Sequence, residues 1–161
     1  MISGYVDAYK SFNDDIFKNE AIEAGEFIYS NLIKRDGGLF HNHVNGKSKI
    51  NGYLEDYATI IQASLDLYEI TLNQIWIERA LELSEYVLDN FSGIDSKLFY
   101  FTSKDDENLI SRSVEFRDNV IPSSNSIMAK NLFRLYHYFD RQEYYDTVSY
   151  THLTLPTNRE V

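Results

Sequence analysis

The chain has 161 residues, enough for one domain of ordinary size, and carries 25 acidic against 15 basic residues for a net charge of −10. This charge repels phosphate backbones and anionic lipids, which argues against nucleic-acid binding and docking on a membrane surface. Cysteine is absent, so disulfides, thiol catalysis and cysteine-based zinc sites are excluded within the chain. No apolar run reaches the length of a transmembrane helix and the first residues carry no secretory signal, so we expect a cytoplasmic location.

Hydrophobic periodicity predicts a mostly helical chain. The 7 glycines and 2 prolines leave room for long regular elements with few turns. Apolar residues at spacings of three and four predict helices over 2–12, about 15–34, 52–54 to 68–70, about 74–91 and 123–139, and a sixth helix that begins at 141 and is interrupted after 147.

Two of the connections between helices are long, and each is predicted to hold a small β-hairpin. Asn45-Gly46 between two alternating runs predicts the first, over residues 39–50. The second is predicted over residues 98–112, with Ser103 to Asp106 as its turn. In antiparallel packing both long loops lie at one end, together with the N-termini of the third and fifth helices. This arrangement favours an all-α fold of helical hairpins, part of an (α/α) toroid, with its site at the loop-bearing end.

The last fourteen residues, 148–161, break the preceding pattern. They read VSYTHLTLPTNREV, with no helical period and few acidic groups. Codons for Val148 to Thr157 can be chosen that spell a DNA string resembling a transposase adapter used in sequencing libraries. We therefore predict a partial toroid domain over 1–147 and a translated, non-native adapter over 148–161, with the native frame interrupted near Asp146.

Three blocks, at residues 52–71, 76–91 and 109–126, resemble those of one family, the YyaL-like proteins, also called spermatogenesis-associated thioredoxin-domain proteins. The first, GYLEDYATIIQASLDLYEIT from Gly52, is similar to the family's G-x-L-E-D-Y-A and G-L-L-D-L-Y-E-A-T. The second runs from Trp76 to Phe91 with the pattern W-x-x-x-A-L-x-L. The third, LISRSVEFRDNVIPSSNS from Leu109, is similar to R-x-K-E-x-x-D-G-x-x-P-S-G-N-S. The opening residues also resemble the family's M-I-S-A-L-A helix.

The resemblance covers residues 1–146 and implies a six-hairpin glycosidase-like toroid, akin also to N-acylglucosamine epimerases. It further implies a thioredoxin-like domain upstream in the same protein, as a partner of this segment. The chain departs from the family pattern at three positions. Asn119 and Ser124 stand where the family has glycine, and Val114 stands where it often has lysine, which removes a cation from the family's polar site.

Two adjacent carboxylates, Glu55 and Asp56, open the third helix and are candidate catalytic residues. One of them would act as a general acid or base on a sugar hydroxyl or ring carbon, with Tyr57 beside them binding the substrate. The alternative is that they stabilise the helix N-terminus, with Glu55 closing a capping box with Gly52. Consecutive helical residues point about 100° apart, so the two carboxylates are not expected to face the same spot.

A second polar group precedes the fifth helix. Asp118 is a candidate acid, base or orienting residue, and Arg112 is a candidate for binding an anionic or carboxylate partner. Glu115, Ser123 and Asn125 are candidate substrate-binding residues beside them. The alternative is that Asp118 and Ser123 order the loop and cap the helix. The sequence leaves both interpretations open.

Histidines and aromatic residues complete the candidates. His41 and His43 alternate on one strand and point to the same face, but two histidines without further ligands make a poor metal site, so a solvent-facing pair is favoured. We predict no metal and no cofactor. Tyr53, Tyr57 and Phe99 lie near the loop-bearing end and are the aromatic candidates for stacking on a sugar ring.

Two functions follow from these residues and from the resemblance. The first is acid/base chemistry on a carbohydrate or polyol ligand. The second is a non-catalytic helical scaffold or interaction module that accompanies the thioredoxin-like domain. Neither reading involves nucleic acid or a membrane, and the residues leave open whether the protein is an enzyme.

Overall fold

The computed structural model describes residues 1–93, 98–106, 112–115, 118 and 121–154. These residues form helices and one small sheet in this order: α1 Ile2–Phe12, α2 Asp15–Asn31, β1 Phe40–Val44, β2 Lys47–Asn51, α3 Leu54–Thr71, α4 Gln74–Phe91, α5 Ser124–Phe139 and α6 Gln142–Thr154. The predicted all-α fold with its helical hairpins is confirmed. Within the described part of the chain, no helix is both long and apolar enough to cross a membrane.

Tight turns join the two helices of each hairpin. Asn13, Leu72 and Asp140 end the first helix of each pair in the left-handed conformation, with φ of 52°. After the first two turns, Asp14 and Asn73 cap the next helix by accepting a hydrogen bond from the backbone N–H two residues ahead. Polar residues that tolerate left-handed geometry or cap helices therefore place most of these reversals where the sequence predicts them.

The first helices of the three hairpins run in the same direction. Lys10, near the end of α1, pairs with Glu69 near the end of α3 at 2.6 Å. Arg134, in the second half of α5, pairs with Glu69 at 2.6 Å and with Asp66 at 2.8 Å. Because these pairs join like ends, the tight turns gather at one end of the molecule and the long connections at the other.

Helix α3 lies at the centre of the core. Leu54, Tyr57, Ile61 and Leu65 recur at spacings of three and four along it, and each is at most 1% exposed. They pack with the apolar faces of α4 and α5, which contribute Ala80, Leu83, Val87, Phe91, Met128, Leu132 and Leu135. The other side of α3 packs on α1 and α2 through a second cluster formed by Ile2, Val6, Ala21, Ala63, Leu67 and Trp76. Burial on several sides explains why α3 is apolar around most of its circumference.

The first predicted β-hairpin is present. Strands β1 and β2 pair antiparallel, with Val44 opposite Lys47 and His43 opposite Ser48. Asn45 and Gly46 form the turn with φ of 52° and 71°, the positive values that a two-residue hairpin turn requires.

The second predicted hairpin is wrong in its strands for the residues that the structure describes, although its predicted turn is present, with the N–H of Asp106 donating to the carbonyl of Ser103 at 3.3 Å. Residues 98–106 and 112–115 contain no strand, and Phe99 instead bridges to Ser92 at the end of α4. The backbone groups of Phe99 are also bonded by the side chain of Asn125, at 2.8 Å and 3.0 Å, so a strand partner has no free groups to pair with. Residues 107–111, which the prediction also covered, lie outside the described residues.

Helix α6 extends beyond its predicted interruption after residue 147. It continues to Thr154, and Val148 is 5% exposed within the main core, one helical turn after the buried Tyr144. This packing explains why the helix does not stop where the sequence pattern changes. The origin of residues 148–161 as a translated adapter stays a prediction.

Candidate functional site at the loop end

The end of the molecule opposite the tight turns, here termed the loop end, brings together the β-hairpin, the connection after α4 and the N-termini of α3 and α5. The backbone N–H of Leu54 donates to the carbonyl of Phe101 at 2.9 Å, and the N–H of Phe101 donates to the carbonyl of Ser113 at 2.8 Å. Asn51 at the end of β2 donates to Asp106 at 2.7 Å. The connection after α4 therefore ties the hairpin and α3 together.

Asp56 is held in place by two partners. Its Oδ2 accepts a hydrogen bond from the backbone N–H of Tyr53 at 2.8 Å and lies 2.9 Å from Nδ1 of His41. Asp56 therefore caps α3, which corrects the expectation that Glu55 closes a box with Gly52. The neighbouring Glu55 is exposed, and its carboxylate has no hydrogen-bond partner among the described residues. The two carboxylates face different surroundings, as expected from helix geometry.

The two hairpin histidines have separate environments, so they do not form the expected solvent-facing pair. The hydrogen bond and charge of Asp56 raise the pKa of His41, whose ring is exposed. His43 is half-buried, with its Nδ1 2.8 Å from the hydroxyl of Ser48 and its ring edge-on to Phe27. In the described part of the chain, no three His, Asp or Glu side chains are grouped so that they could hold a metal ion.

An aromatic pair lies next to His41. The rings of Tyr53 and Phe101 are stacked, with their centres 5.1 Å apart and 11° between their planes. The ring centres of His41 and Tyr53 are also 5.1 Å apart, with 64° between the planes. Both aromatic side chains are half-buried. Tyr57 is different, because it is 1% exposed and its hydroxyl accepts a hydrogen bond from the N–H of Leu39 at 2.8 Å. Burial raises the pKa of Tyr57, so it stays an uncharged core residue beneath the site.

Arg112 joins two backbone segments. Its Nε donates to the carbonyl of Thr102 at 3.0 Å and its Nη2 to the carbonyl of Asn90 at 3.1 Å. The guanidinium carbon lies 4.2 Å from the ring centre of Tyr100. Burial lowers the pKa of this arginine. The described contacts of Arg112 thus tie the loop to the end of α4 and include no carboxylate.

Two carboxylates lie at the N-terminus of α5. Glu115 accepts hydrogen bonds from the backbone N–H of Ser124 at 3.2 Å and from its hydroxyl at 2.6 Å. Asp118 accepts from the N–H of Ser123 at 2.8 Å and from the hydroxyl of Ser126 at 2.7 Å. The hydrogen bond from the Ser123 N–H lowers the pKa of Asp118 the most, and the bond from the Ser126 hydroxyl lowers it further. Both carboxylates therefore accept hydrogen bonds from backbone N–H groups at the start of this helix, where the helix dipole is positive.

Asn125 is a buried residue that joins the start of α5 to the backbone of Phe99 and Glu115. The side chain is 1% exposed; it accepts from the N–H of Phe99 at 2.8 Å and donates to the carbonyls of Phe99 at 3.0 Å and Glu115 at 2.7 Å. The hydroxyl of Ser123, 2% exposed as a residue, accepts from the N–H of Ser126. These two candidate binding residues are inside the loop end, where they hold its backbone.

Apart from Tyr57 in the core and Arg112 on the loop, the candidate acidic and binding residues form two groups. Glu55 and Asp56 lie with His41 and Tyr53 at the start of α3. The second group, at the start of α5, consists of Glu115, Asp118, Ser123 and Asn125. Sequence reasoning missed the pairing of His41 with Asp56 and the stacking of Tyr53 on Phe101. The only signal for either was the short link between β2 and α3, which places the hairpin next to the helix start.

Curated proteins include relatives of this chain, although no family model matches it. It is 30% identical over 152 residues to an uncharacterized protein of Caenorhabditis elegans, covering 89% of this chain and 20% of that protein. It is 28% identical over 164 residues to human spermatogenesis-associated protein 20, and the match covers 91% of this chain and 20% of the human protein. The rat protein of the same name is 37% identical over 94 residues, covering 53% and 11%. The chain spans about a fifth of the length of the first two relatives.

Solved structures with the same fold include proteins named for mannose or mannosides. A glycoside hydrolase family 76 mannosidase of Bacteroides thetaiotaomicron aligns with a TM-score of 0.75 and 14% identity over 96% of this chain and 42% of its own. An inactive α-1,6-mannanase variant from Salegentibacter, in complex with α-1,6-mannotriose, aligns with a TM-score of 0.75 and 18% identity over 99% and 46%.

A D-mannose isomerase aligns with a TM-score of 0.71 and 17% identity over 93% of this chain and 37% of its own. At these identities the likenesses establish the fold, a part of a six-hairpin glycosidase-like (α/α) toroid, as the order of helices and loops predicts. The named relatives and the sequence blocks that begin at Gly52, Trp76 and Leu109 show that the chain belongs to the family of spermatogenesis-associated protein 20.

Proposed function

We propose that the loop end binds a sugar or polyol and carries out acid/base chemistry on it. The observation that carries this proposal is that the exposed Glu55 lies in the first turn of α3, two residues after Tyr53, whose ring stacks on that of Phe101. An aromatic surface suits the apolar face of a sugar ring, and a carboxylate within reach of its hydroxyls can transfer protons.

Among the three candidate acids, Glu55 is the best suited to meet a substrate. Asp56 is engaged by His41 and by the backbone of α3, and Asp118 is engaged by Ser123 and Ser126. Glu55 has no such partner among the described residues. We therefore assign proton transfer to Glu55 and an orienting role to Asp56 and Asp118.

The other candidate residues would support the substrate from below. Arg112 and Asn125 bond backbone groups of the loop, Glu115 and Ser123 accept bonds from the start of α5, and Tyr57 supports Leu39 at the base of the hairpin. In this proposal they shape the surface that the sugar meets. Preorganised loops of this kind lower the entropy cost of binding.

The fold neighbours suggest which sugars to test first. The mannanase variant bound to α-1,6-mannotriose is inactive with two consecutive aspartates replaced by asparagine. This chain also has two consecutive acidic residues, Glu55 and Asp56, at the start of a toroid helix. Mannose, mannitol and α-1,6-mannotriose are therefore the first ligands of the panel.

The test is a ligand titration followed by amide NMR, with chromatography of the sugars to detect conversion. We expect amide signals of residues 53–56 and of Phe101 to shift with at least one sugar. Glu55→Gln should preserve folding and binding but lower turnover by about 10²-fold. The matched control is Glu23→Gln, which changes an exposed helical glutamate in α2. The proposal is refuted if the full panel shifts no loop-end amide at millimolar concentration.

A second candidate function is a non-catalytic scaffold for a thioredoxin-like domain. The observation in its favour is that most of the polar side chains at the loop end bond to the loops themselves. This function predicts that an added thioredoxin-like domain of the same protein shifts amides of this chain, while sugars do not. The same NMR titration therefore separates the two functions.

A further inference from the structure

The β-hairpin is distorted at His41. Its strands pair Phe40 with Asn51 and Asn42 with Lys49, which leaves His41 and Ile50 between two paired positions. Ile50 has φ of 62°, a conformation that is costly for a β-branched residue. The regular ladder is thus interrupted at the position from which His41 reaches helix α3.

The carboxylate of Asp56 fixes the imidazole of His41. Nδ1 lies 2.9 Å from Asp56 Oδ2, and the same oxygen accepts the N–H of Tyr53 at 2.8 Å. Because a carboxylate accepts hydrogen bonds, the neutral imidazole carries its proton on Nδ1 and keeps its lone pair on Nε2. The charge of Asp56 also stabilises the imidazolium form.

The surroundings leave the His41 ring accessible. Its side chain is 36% exposed, against 20% for Asp56. The charged groups that act on it from α3 are Asp56 and Glu55. The ring of Tyr53 makes an edge contact with the imidazole of His41. The uncharged ring of Phe101 stacks on Tyr53. A ligand resting on this surface meets the imidazole of His41, which can exchange a proton.

We propose that His41 is a proton-transferring residue of the loop-end site and that Asp56 is its positioning residue. This inference rests on the proposed sugar site. Neutral Nε2 takes the proton of a sugar hydroxyl, which leaves an imidazolium balanced by Asp56 and an alkoxide on the sugar. The reverse transfer restores both groups, so the step needs no oxidant, reductant or further reactant.

The first arm of the test measures the tautomer and pKa of His41 by ¹⁵N NMR of the full chain. The wild-type imidazole should be protonated on Nδ1 when neutral and should titrate above the ordinary pKa of 6.5. Asp56→Asn should lower this pKa and remove the preference for Nδ1. Because Asp56→Asn also weakens the cap of α3, circular dichroism checks its fold. His41→Gln leaves that cap intact. A wild-type His41 protonated on Nε2 would overturn the assignment.

The second arm adds mannose, mannitol and α-1,6-mannotriose. We expect the Nε2 signal and the pKa of His41 to change on binding, and His41→Gln to lower turnover by about 10²-fold and flatten its pH profile. His43→Gln is the matched control, since His43 lies in the same strand as His41 but bonds Ser48 of β2. Shifts at Tyr53 without any change at His41, or equal effects of the two variants, overturn this inference and leave the proposed sugar site standing. No shift anywhere at the loop end refutes both.

Discussion

Replacing Asn125 by alanine tests whether buried polar bonding holds the loop end together. The side chain is 1% exposed and makes three hydrogen bonds to backbone groups, two to Phe99 and one to Glu115. Alanine removes all three and supplies no substitute. Phe99 then loses its direct bonds to the start of α5.

The expected cost follows from the burial of the groups left behind. Phe99 is 3% exposed, so its N–H and carbonyl are left without partners and without water. An unsatisfied buried group costs about 1–3 kcal/mol. Glu115 is exposed, so water can replace the asparagine at its carbonyl. The two groups of Phe99 together give a loss of about 3 kcal/mol in the free energy of unfolding.

Urea unfolding followed by circular dichroism measures this loss. The matched control is Asn31→Ala, which removes one hydrogen bond to the carbonyl of Phe27 and should cost less than about 1 kcal/mol. Asn125→Asp keeps an acceptor for the N–H of Phe99 but loses both donors, so it should be about as unstable as the alanine variant. A loss below about 0.5 kcal/mol for Asn125→Ala would refute the reasoning.

Two further predictions concern packing and pH. In Gly25→Ala the new Cβ would lie 2.7 Å from Trp76 and 2.8 Å from Leu67, both of which are buried. We therefore expect the free energy of unfolding to fall by about 1–3 kcal/mol, with a lower melting temperature. An unchanged melting temperature would contradict this packing. The pKa of Asp118 is lowered in the folded state, chiefly by the N–H of Ser123, so its contribution to stability is present above the ordinary pKa of 3.8 and is lost as the pH falls through the folded-state pKa. The stability difference between wild type and Asp118→Asn should therefore shrink in acid, and a difference independent of pH would rule out this role.

Hydrophobic period carried most of the fold prediction. The stripe of Leu54, Tyr57, Ile61 and Leu65 is buried along α3, because a helix that packs on several sides needs apolar residues at these spacings. Asn45-Gly46 identified the first hairpin through its positive φ values. Both signals are local, so they can be read without knowing the fold.

Among the described residues, the strands of the second hairpin were predicted wrongly because the contacts that decide this segment are not local. Alternation near Phe99 is typical of a strand, but its backbone is bonded by Asn125, which lies 26 residues further along the chain. Such a side-chain partner leaves no period in the surrounding sequence. The capping error has a smaller cause: the helix begins at Leu54, so the residue three positions after the cap at Tyr53 is Asp56 and not Glu55.

The acidic candidates were recognised from their positions at helix starts, but their partners were not. The pairing of His41 with Asp56 spans 15 residues and depends on how the hairpin folds over α3. Sequence alone treated His41 and His43 as equivalent because they alternate on one strand. The distortion at Ile50 and the separate contact of His43 with Ser48 make them different.

The distinction between residues that hold loops and residues that face solvent bears on the reaction. Fold neighbours of this chain include both glycoside hydrolases and a mannose isomerase, so the toroid does not determine the chemistry. Asn125 and Arg112 bond backbone groups and can be expected to matter in any toroid with these loops. Glu55 and His41 are exposed and hold no backbone group through their side chains among the described residues. Differences in reaction should therefore follow substitutions at Glu55 and His41, whereas substitutions at Asn125 should change stability first.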